Sequence, residues 1–324
     1  MLYPLKFNTI YKEKIWGGNK VKTILNKDYS PLANCGETWE ISGLKGFSNQ
    51  VKNGFLKGNT LEELVSVYMG DLVGEKVFQI YGETFPLLIK FIDANDDLSV
   101  QVHPNNTLAE KFQNDYGKTE MWYVLQADAN AKINIGFNTP MTKEKLEKHI
   151  QSNSLEKVLN YVDAKAGDIF YIPAGKVHAI GKGVLLTEIQ QSSDITYRLY
   201  DYQRKDTQGN LRPLHIQEAY QAIDYENIEN NPIRFVSEIN TTLTLVCSPF
   251  FVTNHIYFDK QVEKIYADMD TFVIYICLEG ETSIHYHGGK EILSKGECIL
   301  IPATIEDAVF EPHGVCKLLE TYLP

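Results

Sequence analysis

The stretch 167-GDIFYIPAGKVHAI-180 recurs, in register, as 296-GECILIPATIEDAV-309. Each copy reads glycine, acid, a short apolar run, Ile-Pro-Ala and three further residues. A polar side chain follows, His178 in the first copy and Asp307 in the second. The glycine–acid turn feeds a strand, and proline stops the strand because it cannot donate to a ladder. Agreement over about a dozen positions points to one β unit used twice. The polar, asparagine-rich run 225-YENIENNPIRF-235 is the natural seam. It gives a first domain over residues 1–230 and a second over 231–324.

The rest of the chain supports a mainly β fold. Short β-rich segments bounded by Gly, Asn and Asp include 86-PLLIKFIDA-94, 120-EMWYVLQA-127, 184-VLLTEIQQ-191, 243-LTLVCSPFFVTNHIYF-258 and 271-TFVIYICLEG-280. Helical periodicity is confined to three places. In 60-TLEELVSVYMGDLV-73, Thr60 caps and Glu63 completes a capping box. A second helical stretch covers 142–162 in two pieces, and a third lies near 213–223. Many short strands with regular turns read as two jelly-roll β-barrels with inserted helices.

Composition narrows the partners. The net charge of −11 argues against nucleic acid or an anionic membrane surface as a partner. No apolar run is long enough to span a bilayer, and the amino terminus has no secretory pattern. Five scattered cysteines without a CxxC indicate neither a disulfide framework nor a cysteine zinc site, so a reducing cytoplasm is expected. An acidic chain that binds an anion must build a local positive pocket.

The run 98-LSVQVHPNN-106 carries the chemistry. As a strand it turns Val100 and Val102 to a core and Ser99, Gln101 and His103 to the opposite face. Glu120 opens another strand, and His178 follows a Pro-Ala-Gly turn. Inside a barrel these faces converge. Two imidazoles, one carboxylate and one amide oxygen suit Zn2+, with Fe2+ and Mn2+ also compatible. Spacing alone stops at a metal-binding β-barrel, and separate polar residues are the plainer alternative. The run 285-HYHGGKE-291 offers His285, His287 and Glu291, but it straddles a Gly-Gly hairpin and should face solvent.

The runs LLIKFIDANDDLSVQVHPNN, YGKTEMWYVL, DIFYIPAGKVHAIGKGVLLTEIQQSSDITYRLYDY and CGETWEIS together resemble the type I mannose-6-phosphate isomerase family, in its short bacterial form. The resemblance runs from about residue 3 to the end. It implies cupin-like barrels and a zinc-dependent aldose–ketose isomerase. Such an enzyme interconverts D-mannose 6-phosphate and D-fructose 6-phosphate through a cis-enediol. It further implies one Zn2+ per chain, held by Gln101, His103, Glu120 and His178. Lys118 and Arg198 fall in the pocket, Trp16 at its mouth, and Ser99 beside the substrate. Those two cations would supply the positive charge that a phosphosugar needs. A proton shuttle is required, and Glu188 and a metal-bound water are both candidates. Asp194 and Arg198 would form an ion pair that directs Arg198 at the sugar. Trp39 reads as core, and Glu40 has no assigned role.

The second copy has Asp307 in place of His178 and a position near Thr271 in place of Glu120, so its expected role is structural. A monomer is expected. Two rival readings stand beside the isomerase. An Fe2+ cupin oxygenase would use the same two histidines and carboxylate, but Lys118 and Arg198 suit a phosphosugar better. A non-catalytic sugar-binding cupin would be expected to show a decayed ligand set, and none is visible.

Overall fold

A computed structural model of the chain describes residues 1–113, 115–205, 209–226 and 231–324. Four antiparallel sheets organise it. In the first half, a six-stranded sheet runs in the order Ile10–Lys12, Glu37–Ser42, Leu87–Ala94, Val184–Gln191, Glu120–Ala127, Ile169–Ile172. It faces a five-stranded sheet ordered Tyr197–Tyr200, Val100–Val102, His178–Ile180, Lys132–Phe137, Leu159–Asp163. Alternation along these strands turns Trp122, Val124, Phe170, Leu186 and Ile133 into one apolar core.

The second half repeats the plan. Thr241–Cys247, Val252–Phe258, Cys316–Tyr322, Val273–Glu279 and Cys298–Ile301 form a five-stranded sheet. Val262–Ile265, Asp307–Pro312, Glu281–Tyr286 and Gly289–Ser294 form a four-stranded one. Phe258, Tyr275, Ile284 and Phe310 are buried together in their core.

The repeated motif occupies equivalent places. Ile169–Ile172 is the edge strand beside Glu120–Ala127, and Cys298–Ile301 is the edge strand beside Val273–Glu279. Glu120 stands opposite Ile172, and Val273 stands opposite Ile301. The equivalent of Glu120 is therefore the buried Val273 rather than Thr271, which precedes the strand. Counting along the sequence missed the register by two residues.

The two halves join through their larger sheets. Ile89, Phe91, Met121 and Ile189 from one pack in a single cluster with Ile274, Ile276, Leu300 and Leu319 from the other. Phe85 and Phe272 meet there, with ring centroids 4.6 Å apart. The amino-terminal segment adds a strap: Leu5 exchanges backbone hydrogen bonds of 2.8 and 2.9 Å with Leu300. Beyond the helix Ile216–Ala222, residues 227–230 of the expected seam lie outside the described residues. Ile233 still pairs with Ile169 of the first sheet.

Helix Leu61–Tyr68 carries the expected capping box between Thr60 and Glu63. The stretch 142–162 differs from expectation. Helix Lys143–Gln151 is followed by a single 3-10 turn, Leu155–Val158, and then by the strand Leu159–Asp163. Asn153, with φ +50°, breaks the helix. Residues 159–163 then pair with Lys132–Phe137, so tertiary pairing overrides the helical pattern. Among the described residues no helix is long and apolar enough to cross a membrane.

Because Phe272 is fully buried where the halves meet, Phe272→Ala should cost about 3–5 kcal/mol. A urea titration reads this as a lowered midpoint, and an unchanged midpoint would show that the contact is not part of the core.

Candidate metal centre

Glu120, at the start of its strand, faces the five-stranded sheet. There His178 opens the strand His178–Ile180, directly across the ladder from Gln101. His103 lies just past the strand Val100–Val102. The Pro-Ala-Gly turn locks the two histidine segments together. Gly175 donates its amide to the His103 carbonyl at 2.9 Å, with φ +89° and Ala222 and Asp224 pressed close. A side chain there would be strained and crowded.

His103, Glu120 and His178 are all buried, and their candidate ligand atoms lie within 4.8 Å of one another. The imidazole tautomers follow from the outer contacts. His103 Nδ1 is 2.8 Å from the Ile195 carbonyl and His178 Nδ1 is 2.9 Å from the Lys176 carbonyl. A carbonyl only accepts, so each Nδ1 carries the hydrogen and each Nε2 turns a lone pair inward. The Nε2 atoms stand 3.6 Å and 3.4 Å from the two oxygens of Glu120. Both of those oxygens are buried without a well-directed hydrogen bond. Inward lone pairs around a buried carboxylate fit a divalent metal. The Gln101 amide is 3.4 Å from His178 Nε2, at the edge of this group.

Charge alternates outward from the cluster. Lys118 Nζ lies 2.6 Å from Glu120, 3.1 Å from His103 Nε2 and 3.8 Å from Glu188. Glu188 also contacts Lys90 at 3.2 Å and accepts a 3.1 Å hydrogen bond from Trp122 Nε1. Burial, with the Glu188 charge added, pushes the Glu120 carboxyl above the usual carboxylate range, against the pull of Lys118. Burial pushes Glu188 the same way, but Lys118 and Lys90 outweigh it and hold Glu188 below the usual carboxylate range. Burial, reinforced for His103 by Lys118, holds both histidines neutral, His178 at about 3.

A cavity of about 300 Å3 lies beside this cluster, separated from it by Gln101 and Lys118, which contact His178 and Glu120. Ser99, Gln101, Trp16, Lys118, Glu188, Asp194 and Arg198 all line it. Arg198 donates from Nε to Ser99 Oγ at 3.2 Å and from Nη1 to the Pro213 carbonyl at 3.0 Å. Burial, then the neighbouring Arg212, lowers its pKa, partly offset by Asp201. The expected Asp194–Arg198 ion pair does not form. Arg198 lies on the strand Tyr197–Tyr200 while Asp194 precedes it, and the guanidinium turns to Ser99 instead.

Four further charged lining residues, Lys14, Glu37, Lys90 and Arg212, were not singled out from the sequence. In the strand Glu37–Ser42, Glu37 reaches the pocket, pairs with Lys14 at 2.9 Å and accepts from Trp39 Nε1 at 2.9 Å. Glu40, on the opposite face, pairs with Lys27. The two acids lie on opposite sides of the strand, with a bulge at Glu40 between Trp39 and Ile41, and the sequence does not say which face is inside. The hairpin histidines stand apart. His285 is half-exposed beside Glu311, and His287 is exposed.

Comparisons with known proteins identify the family and the fold. A family model described as phosphomannose isomerase type I, catalytic domain, matches residues 4–150. Mannose-6-phosphate isomerase of Streptococcus mutans is 37% identical over 96% of both chains. Mannose-6-phosphate isomerase ManA of Bacillus subtilis is 36% identical over 97% of both. The crystal structure of a mannose 6-phosphate isomerase from Bacillus subtilis superposes with a TM-score of 0.88 at 32% identity, covering 98% of this chain and 99% of that one. A phosphomannose isomerase variant from Salmonella typhimurium shares the fold at TM-score 0.78 and 16% identity, covering 99% of each chain.

The depressed His178 pKa makes a signed prediction. Between pH 6.5 and about 3 the unfolded chain binds a proton at this position that the folded, metal-free chain does not. Stability is therefore lost as pH falls. After chelation, the native chain should lose stability faster than His178→Gln below pH 6.5, by about 1.4 kcal/mol per pH unit. Urea midpoints at pH 7, 6 and 5 measure this, and parallel slopes would contradict it.

Proposed function

The chain belongs to the type I phosphomannose isomerase family, and from that premise we propose that it interconverts D-mannose 6-phosphate and D-fructose 6-phosphate with one Zn2+ per chain. The observation that carries this reading is the meeting of two inward Nε2 lone pairs and the buried Glu120 carboxyl group, next to a cavity that Arg198 and Arg212 help to line. His103, Glu120 and His178 would hold the metal, with Gln101 at its edge. When bound, Zn2+ supplies an electrophile that polarises the sugar carbonyl and eases loss of the C2 proton.

The remaining work falls to side chains. Arg198, with Arg212 beside it, faces the phosphate, and Ser99 orients the Arg198 guanidinium. A planar guanidinium matches a phosphate through paired N–H donors. Glu188, kept ionised by Lys90 and Lys118, takes the C2 proton and returns it at C1, while the O2 hydroxyl proton passes to O1 through the cis-enediol. Trp122 fixes one Glu188 oxygen, leaving the other towards Lys90. Lys118 and Lys90 offset negative charge as it develops on the sugar oxygens. Asp194 lines the pocket away from Arg198 and balances the lysines, and its field acts on Lys90. Trp16, almost fully buried, walls the pocket.

Five free cysteines suit a reducing, cytoplasmic setting.

A coupled assay of fructose 6-phosphate formation tests the proposal. Activity should vanish on chelation and return with Zn2+, and His178→Ala should lose both metal and turnover. Turnover that survives complete metal removal would refute it. Glu188→Gln should lower kcat about 10²- to 10⁴-fold with little change in KM. Arg198→Ala should act mainly by raising KM. The reverse pattern would exchange the two roles.

A further inference from the structure

A second hollow, of about 350 Å3, lies where the two halves meet. It sits on the opposite face of the strand Glu120–Ala127 from the metal cluster. Trp122 points into the first core, and Tyr123 turns outward into this hollow. His255, from the strand Val252–Phe258, forms its floor. The imidazole is 2% exposed, nearly parallel to the Tyr123 ring at 6.2 Å and edge-on to Phe235 at 5.0 Å. Ser237 Oγ stands 3.2 Å from its Nδ1, but its buried Nε2 finds no hydrogen-bond partner among the described residues. A buried polar atom without a partner costs about 1–3 kcal/mol, so this nitrogen calls for a ligand.

The charge around it indicates which kind. Lys165, Arg234 and Lys317 line the hollow against one carboxylate, Asp168. Arg234 pairs with Asp168 at 2.9 Å, and Lys317 pairs with Glu279 at 2.7 Å. Lys165 has no carboxylate partner among the described residues. In a chain of net charge −11, the one cation left in excess among the described residues of the hollow, Lys165, beside two ion pairs and a buried nitrogen favours an anion. In the tautomer whose Nδ1 accepts from the Ser237 hydroxyl, Nε2 carries the hydrogen and is a donor left without a partner among the described residues. Burial, then Lys317, holds the ring neutral in this setting.

We propose that this inter-half hollow binds a small oxyanion of the phosphate class, with His255 Nε2 donating to it and Lys165 and Lys317 supplying charge. The site is separate from the sugar pocket and uses none of its residues.

Inorganic phosphate titrated into the full chain, followed by 1H–15N spectra of the histidine rings, tests this directly. The His255 signals are assigned by their loss in His255→Leu or His255→Gln. Phosphate should move them saturably in the native chain and equally in Arg198→Ala, where the sugar pocket is weakened. Lys165→Ala, at an exposed position, should raise the midpoint at least tenfold while isomerase turnover in phosphate-free buffer stays unchanged. His255 signals that do not move, or a midpoint untouched by Lys165→Ala, would overturn the proposal.

Discussion

Glu120 is a carboxylate with no exposed surface, and the pocket is built around the cost of placing it there. A buried ion left alone costs several kcal/mol, so its neighbours must answer it. They do so in a relay of alternating sign. Lys118 touches Glu120, Glu188 lies between Lys118 and Lys90, and further out Glu37 is paired with Lys14. Two histidines whose outer nitrogens are tied to backbone carbonyls complete the inner ring. Their neutrality matters, because a protonated imidazole would lose the lone pair that faces the centre.

The second half shows which parts of this arrangement come with the fold. Trp122 stands opposite Glu188 in the ladder, and Tyr275 stands opposite Glu320 in the same register. Tyr275 donates to Glu320 at 2.6 Å, as Trp122 donates to Glu188. Where Lys90 faces Glu188, Asn254 faces Glu320 and bonds it at 2.8 Å. A carboxylate in mid-strand, held by a neighbouring aromatic donor, is thus common to both halves. The ligand positions at the strand ends are not. Glu120 is matched by Val273, and His178 by the exposed Asp307.

Much of this could be read from the sequence. Alternation through 98–106 placed Ser99, Gln101 and His103 together, and the repeated Ile-Pro-Ala motif identified equivalent edge strands. The capping box at Thr60 and Glu63 is local chemistry and needs no tertiary context. The failures share a cause. Lys90 and Glu37 sit within apolar strands, where nothing in the chain marks which face is lined by the pocket. The Asp194–Arg198 pair looked plausible from spacing, yet Ser99 and the Pro213 carbonyl, distant in sequence, claimed the guanidinium. Residues 159–163 became a strand because Lys132–Phe137 was available to pair with them.

The back-to-back packing of the two larger sheets has a consequence for how the polypeptide can be handled. Ile89, Phe91, Met121 and Ile189 cover a broad face of the sheet that carries Glu120, and that face is sheltered by Ile274, Ile276 and Leu319. A recombinant fragment ending before Thr241 would present that greasy wall to water and would also forfeit Leu300, the anchor for Leu5. Such a fragment should be sticky and aggregate on expression. The second half thus serves the first as the cover of its apolar face.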